Sequence, residues 1–203
     1  MKQLLSFPHF VSGGVVAELL RRSTEAAHRH LEHGLAVSGK TPSDATVRTY
    51  LAALYGWLAP VENALWSASW PEEMAAPMRA CKVEWLAADL RGAGVEPRDL
   101  PRCNEALPVA TPGARYGLAY VVEGSMLGGR VLAARLAERA STFAASRFLR
   151  GYAEATSSSW RAFRALLDVE VAASDRLIDA RRSAVSAFAS LERWLTAREV
   201  FCA

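Results

Sequence analysis

The sequence predicts an all-α protein, and three observations carry that prediction. Alanine, the strongest helix former, supplies 38 of the 203 residues, while β-branched residues are few. From Val47 to Leu65 apolar residues recur in steps of four, three, four, three and four, which traces one stripe of a helix. No segment shows the strict alternation of a half-buried strand. A chain of this length reads as one helical domain of about seven or eight helices spanning 1–203, with 1–12 as a flexible N-terminal tail.

The elements follow in order. A first helix runs from Val15 to His33 and stops at Gly34, a residue suited to a left-handed terminator. Thr41-Pro42-Ser43-Asp44 reads as a cap, a first-turn proline and a first-turn acid. The stripe Val47, Leu51, Leu54, Leu58, Val61 and Leu65 follows, and Pro60 should kink or divide that helix. A third helix covers Met78 to Arg91, before Gly92 and Gly94. Residues 92–113 hold four of the nine prolines and form the longest irregular connection. Further helices are expected over Ala114–Ala140, Ser146–Ala155, Ser159–Leu177 and Arg182–Val200, the last with Val185, Phe188, Leu191 and Leu195 facing inward.

Composition narrows the function classes. Hydrophobic residues at 51% and charged residues at 22% fit a folded soluble protein and exclude a disordered one. No apolar run reaches the ~18–20 residues of a membrane span, and MKQLLSFPHF lacks the features of a secretory leader. Cys81, Cys103 and Cys202 are an odd, scattered set without CxxC, which argues against a disulfide framework and against a cysteine metal knot. The chain therefore reads as cytoplasmic, with no membrane. Net charge +3 is too small and too evenly spread for a nucleic-acid partner. Only Lys2, Lys40 and Lys82 of the 24 basic residues are lysine, so arginine is the default cation here.

Two short segments carry chemistry. In the first helix Arg21, Thr24, His28 and Glu32 fall on one narrow stripe, beside an apolar face made by Val16, Leu20, Ala27 and Leu31. A neutral imidazole can bind a metal through one nitrogen while the other donates to a carboxylate, and Glu32 is one turn beyond His28. Arg21 suits an anionic group lying against that stripe. The blander reading is a solvated i, i+4 pair. His30 and His33 share the segment without a third ligand, and His9 has no context. The second segment is Tyr120-Val121-Val122-Glu123-Gly124-Ser125-Met126-Leu127-Gly128-Gly129. Each glycine inside a helix costs about 1 kcal/mol relative to alanine, so three of them call for a reason. Either helices pack closely across Gly124 and Gly128, or the backbone approaches a flat ligand.

Together these segments resemble the heme oxygenase family, in particular its bacteriophytochrome-associated bacterial branch. The motif L-[RK]-x-x-T-x-x-x-H-x-x-x-E is matched by Leu20, Arg21, Thr24, His28 and Glu32, and G-x-x-x-G-G by Gly124, Gly128 and Gly129. The resemblance implies a fold in which heme lies between a proximal and a distal helix. His28 would be the axial iron ligand and Glu32 its orienting partner. Thr24 would belong to the cofactor-binding stripe. Arg21 would face one propionate, and Arg164 or its rival Arg161 the other. Gly124, Ser125, Gly128 and Gly129 would form the catalytic distal turn. Heme would be cofactor and substrate, opened with O2 and an external electron donor to biliverdin, carbon monoxide and ferrous iron. A ferredoxin- or flavoprotein-type donor and a bacteriophytochrome acceptor are implied partners. One departure stands out: many relatives have an aspartate where this chain has Ser125. That substitution motivates the alternative of a non-catalytic heme carrier or sensor on the same fold. A helical protein for another small ligand, such as thiaminase-like relatives of this fold, would need a nucleophile or base, and Cys81 and Cys103 have no such context. In a plain interaction module both motifs would be coincidence.

Overall fold

The computed structural model describes residues 14–201, and the tail at 1–12, His9 and Cys202 lie outside the described residues. Eight α-helices occur among the described residues: α1 (Val15–Gly34), α2 (Asp44–Trp66), α3 (Ala76–Arg79), α4 (Lys82–Gly92), α5 (Pro112–Ala137), α6 (Arg147–Arg150), α7 (Thr156–Glu170) and α8 (Ser174–Ala197). Extended pairing among them is confined to an isolated bridge between Leu35 and Phe201. The fold is all-α, as composition requires.

The α2 stripe is buried at every position from Val47 to Leu65. Its cap is Ser43 rather than Thr41, because the Ser43 hydroxyl accepts from Thr46 N–H at 3.1 Å. The helix runs through Pro60 undivided. Proline has no N–H to give the carbonyl four residues back, and that carbonyl, on Gly56, instead accepts the Cys103 N–H at 2.9 Å. The long connection is thereby moored on α2. A side chain at Gly56 would overlap the Pro101 carbonyl and the Trp194 ring, which explains the glycine.

Three other boundaries differ from expectation. The third helix is two pieces, broken at Cys81 with φ −136° and ψ −5°. The helix expected over 146–155 is a single turn, ended at Gly151 with φ +57°. The break before α8 falls at 171–173, well ahead of Arg182, and Val185, expected inward, is 43% exposed while Phe188 and Leu195 are buried. The small residues Ala180, Ser183, Ala184 and Ala187 face inward instead.

Several helix starts are satisfied by carboxylates from elsewhere. Asp168 of α7 accepts the Val16 N–H at 2.9 Å. Glu62 of α2 accepts the N–H groups of Lys82 and Val83, each at 2.9 Å. Asp89 of α4 takes those of Arg147 and Phe148. A carboxylate at a helix start meets both the orphan donors and the positive end of the helix dipole.

The seam between α5 and α8 positions everything else. A methyl at Gly117 would sit 2.1 Å from the Ala180 carbonyl oxygen, and one at Gly113 would sit 2.4 Å from that of Arg176. The two backbones therefore touch. Small residues replace side-chain interdigitation along this seam, and the Thr111 cap of α5 is itself bonded to Asp179 at 2.7 Å.

Candidate functional site

Helices α1 and α5 both lean on α8 and both meet α7, yet they have only slight contact with each other. Their backbones therefore stand apart. Tyr120 of α5 reaches toward Thr24 of α1. Burial pushes the Tyr120 hydroxyl up to about 12, against the opposing pull of Thr24, Arg21 and Arg164. The structure thus brings Arg21 and Arg164 to the same tyrosine, whereas Arg161 points to solvent. Arg21 is held by Glu18, with Nε 2.8 Å from the carboxylate, and lies 3.6 Å from Glu25.

One turn beyond Thr24 stands His28. Its Nδ1 is 3.5 Å from Glu32 Oε1, and its ring meets the Phe188 edge at 5.7 Å between centroids. Burial lowers the imidazole below its ordinary value, so the ring is neutral at neutral pH. Burial also pushes the Glu32 carboxyl up to about 7, against the opposing pull of His33. When Glu32 is ionised, a proton on the Nδ1 that faces it leaves the lone pair on Nε2, as a metal ligand requires. His30 and His33 diverge from any shared site. His30 lies 3.3 Å from Glu192, and His33 Nδ1 is 2.6 Å from the Arg29 carbonyl. Among the described residues no group of three His, Cys, Asp or Glu could hold a bare metal ion.

One turn beyond Tyr120 on α5 stands Gly124. A methyl there would meet only the Trp160 ring, at an ordinary 3.7 Å. Gly124 is therefore not a packing glycine. Gly129 is one. A methyl on it would lie 2.9 Å from the Leu149 carbonyl oxygen, so this residue serves contact with α6 and not approach to a ligand. Gly128 is half-buried. Ser125 is exposed, and its hydroxyl donates to the Val122 carbonyl at 2.7 Å, which leaves its lone pairs outward. Beside it opens an apolar recess walled by Trp57 and Leu58 of α2, Val121 of α5, Phe148 of α6 and Leu191 of α8.

A neutral histidine with a carboxylate on its far nitrogen, two arginines at one edge, and a helix turn poor in side chains suit a flat, anionic, iron-bearing ring. The family model for heme oxygenase matches residues 15–197. The chain belongs to the heme oxygenase family. A heme oxygenase from Xanthomonas campestris pv. campestris (strain 8004) is 34% identical over 90 residues, which is 44% of this chain. That match spans about half the relative's length, 54%. The heme oxygenase from Neisseria meningitidis, solved with NO and CO bound, shares the fold at TM-score 0.76 and 21% identity, over 93% of this chain and 94% of that one. No helix among the described residues is long and apolar enough to cross a membrane.

Sequence reasoning finds His28 and Glu32 because their pairing is local. It misses the Thr24–Tyr120 contact, Phe188 behind the imidazole and Trp160 beside Gly124, all of which join distant segments. It also misses a buried ionic cluster at Glu123. Two signals point to that cluster: an acid inside the apolar run Val121-Val122-Glu123-Gly124, and a lysine at 82 in a chain whose only other lysines are Lys2 and Lys40.

Proposed function

We propose that this member of the heme oxygenase family forms biliverdin, with heme held between α1 and α5 as cofactor and substrate. The observation that supports the reading best is the neutral imidazole of His28 with the Glu32 carboxyl 3.5 Å from its Nδ1. When bound, heme would supply the iron that takes up O2 and, with electrons from an external donor, the oxidation that opens its own ring. The remaining tasks fall to the chain. His28 would hold the iron, with Glu32, when ionised, fixing its tautomer and raising its basicity. Thr24 and Tyr120 would close one end of the heme site. Arg21 and Arg164 suit the two propionates, for which Arg21 would share its guanidinium with Glu18. Gly124 and Gly128 leave backbone, without side chain, toward the ring. Ser125 would accept from, or position, water near the reacting face.

The finer parts of the reading rest on the family resemblance. The wording from Tyr120 to Gly129 supports the bacteriophytochrome-associated branch, and with it a bacteriophytochrome as acceptor of biliverdin. A ferredoxin or flavoprotein suits the electron donor, and the protein is taken as a single cytoplasmic domain. The second reading, a heme carrier or sensor, is favoured by one observation: the Ser125 proton is committed to Val122 and is not offered to a ligand.

Adding hemin to the purified protein tests both. The oxygenase gives a histidine-type Soret band that decays to a biliverdin spectrum under reductant and air, while a carrier keeps the band. His28→Ala should remove that band and the turnover with the fold intact. Loss of the band in His30→Ala or His33→Ala, with His28→Ala unchanged, would sink the assignment.

A further inference from the structure

Behind the distal turn lies a charged cluster that the proposed chemistry does not use. Glu123 is 2% exposed, Arg79 5% and Lys82 0%. Glu123 pairs with the Arg79 guanidinium, and its other oxygen lies 2.7 Å from Lys82 Nζ. Lys82 Nζ also donates to the Tyr152 hydroxyl at 2.7 Å and to the Arg79 carbonyl at 2.8 Å. Tyr152 in turn donates to Glu123 at 3.1 Å. Arg79 reaches two further backbones, Met74 at 2.8 Å and Ser159 at 3.3 Å. Every charged group is satisfied.

Such a cluster is weak evidence for stability. Desolvating three charges cancels much of their attraction, and well-packed apolar replacements are often neutral or stabilising. What the cluster does provide is directional constraint on one residue of α5. That residue immediately precedes Gly124, on a stretch whose glycines make the helix easiest to bend. The same guanidinium holds the Ser159 carbonyl, next to Trp160, and Trp160 is the side chain that Gly124 faces.

We propose that Glu123 is a positioning residue: through Arg79 and Lys82 it fixes the Gly124–Ser125 turn against Trp160, and so fixes which edge of a ring held between α1 and α5 lies beneath that turn. The second half of this statement rests on the function proposed above; the first does not.

The test compares wild type with Glu123→Gln and with the fully neutral variant Arg79→Met, Lys82→Met, Glu123→Gln. Glu123→Gln leaves two cations buried and should lower Tm; the neutral variant should recover a Tm at or above wild type. In the ligand-free neutral variant, amide exchange at residues 124–126 should speed up on the order of tenfold or more, with residues 114–119 unchanged. Loaded with hemin, it should give a mixture of biliverdin isomers where wild type gives one. A neutral variant with Tm far below wild type makes the cluster a stability element and overturns the proposal. So does a folded variant with wild-type exchange at 124–126, or with the wild-type isomer at the wild-type rate. If wild type itself makes no biliverdin, the functional reading fails, and the exchange measurement alone decides the positioning role.

Discussion

Helix α5 meets its two long neighbours in opposite ways. Against α8 it presents Gly113 and Gly117 and comes to backbone contact, leaving no room for a methyl. About two turns further on it presents Gly124, where a methyl would meet only the Trp160 ring of α7 at 3.7 Å, and it approaches α1 through Tyr120 near Thr24. The same residue type thus serves adhesion in one half of a helix and vacancy in the other. Glycine in a helix has no single meaning; the distance at which a Cβ would meet its neighbour gives it one.

Adding that Cβ at each position is the sharpest way to test the contrast. Gly117→Ala should have the largest effect. The Ala180 carbonyl is backbone and cannot rotate away, so overpacking should cost about 3 kcal/mol. Thermal unfolding should register it as a Tm lower by roughly 6–12 °C. Gly129→Ala meets the Leu149 backbone less closely, at 2.9 Å, and should cost about 1–2 kcal/mol while hemin binding stays at the wild-type level. A normal Tm in either variant would mean the seam is looser than drawn.

Gly124→Ala should invert the pattern. Its methyl meets Trp160 at a comfortable distance, and alanine is favoured over glycine by about 1 kcal/mol in a helix, so Tm should hold or rise slightly. With heme placed as proposed above, biliverdin formation should nevertheless slow or change isomer, because the methyl would narrow the space beside the ring. Destabilisation with unchanged product would erase the distinction between the two halves of α5.

The smallest effect concerns α1. Glu32 has its carboxyl raised to about 7 from an ordinary 4.5, so the folded state binds more protons than the unfolded state in that window. Stability of the ligand-free protein should therefore fall as pH rises from about 4.5 to about 7, by the sign of proton linkage. Glu32→Gln should remove this contribution and flatten Tm against pH by a few degrees. The depressed His28 acts in the other direction, losing stability as pH falls through 6.5, and should persist in that variant. An unaltered pH profile would show Glu32 to be solvated.

What the sequence reveals and what it hides divide along the same line of contact distance. The α2 stripe is legible because its periodicity repeats within one segment, and the His28–Glu32 pair because i and i+4 are neighbours on any helix. The start of α1 is not legible as a capped end: its carboxylate, Asp168, is 152 residues away from Val16. The same holds for Glu62 at α4, whereas α6 carries a local Ser146 cap and takes Asp89 in addition. Those caps come from packed neighbours, so composition near the helix start carries no trace of them. The glycines were readable as an anomaly but not as a pair of different jobs, since only the packing partner separates Gly124 from Gly129. Arg164 outranks Arg161 for a related reason: α7 turns one toward Tyr120 and the other to solvent.

The bond from Cys103 N–H to the Gly56 carbonyl bears on how this chain is assembled and cut. It pins the 93–111 connection near its middle, dividing one long loop into two short ones. Closing loops of half the length lowers the entropy cost of each by about 0.6 kcal/mol, and the docking socket exists only once α2 is helical through Pro60. The connection should therefore dock late, after α2. Proteases should nick its flanks before they reach 101–104, where Arg102 is also stacked on Tyr55. A proline that breaks one helical bond has in this way become the address at which a distant segment is delivered.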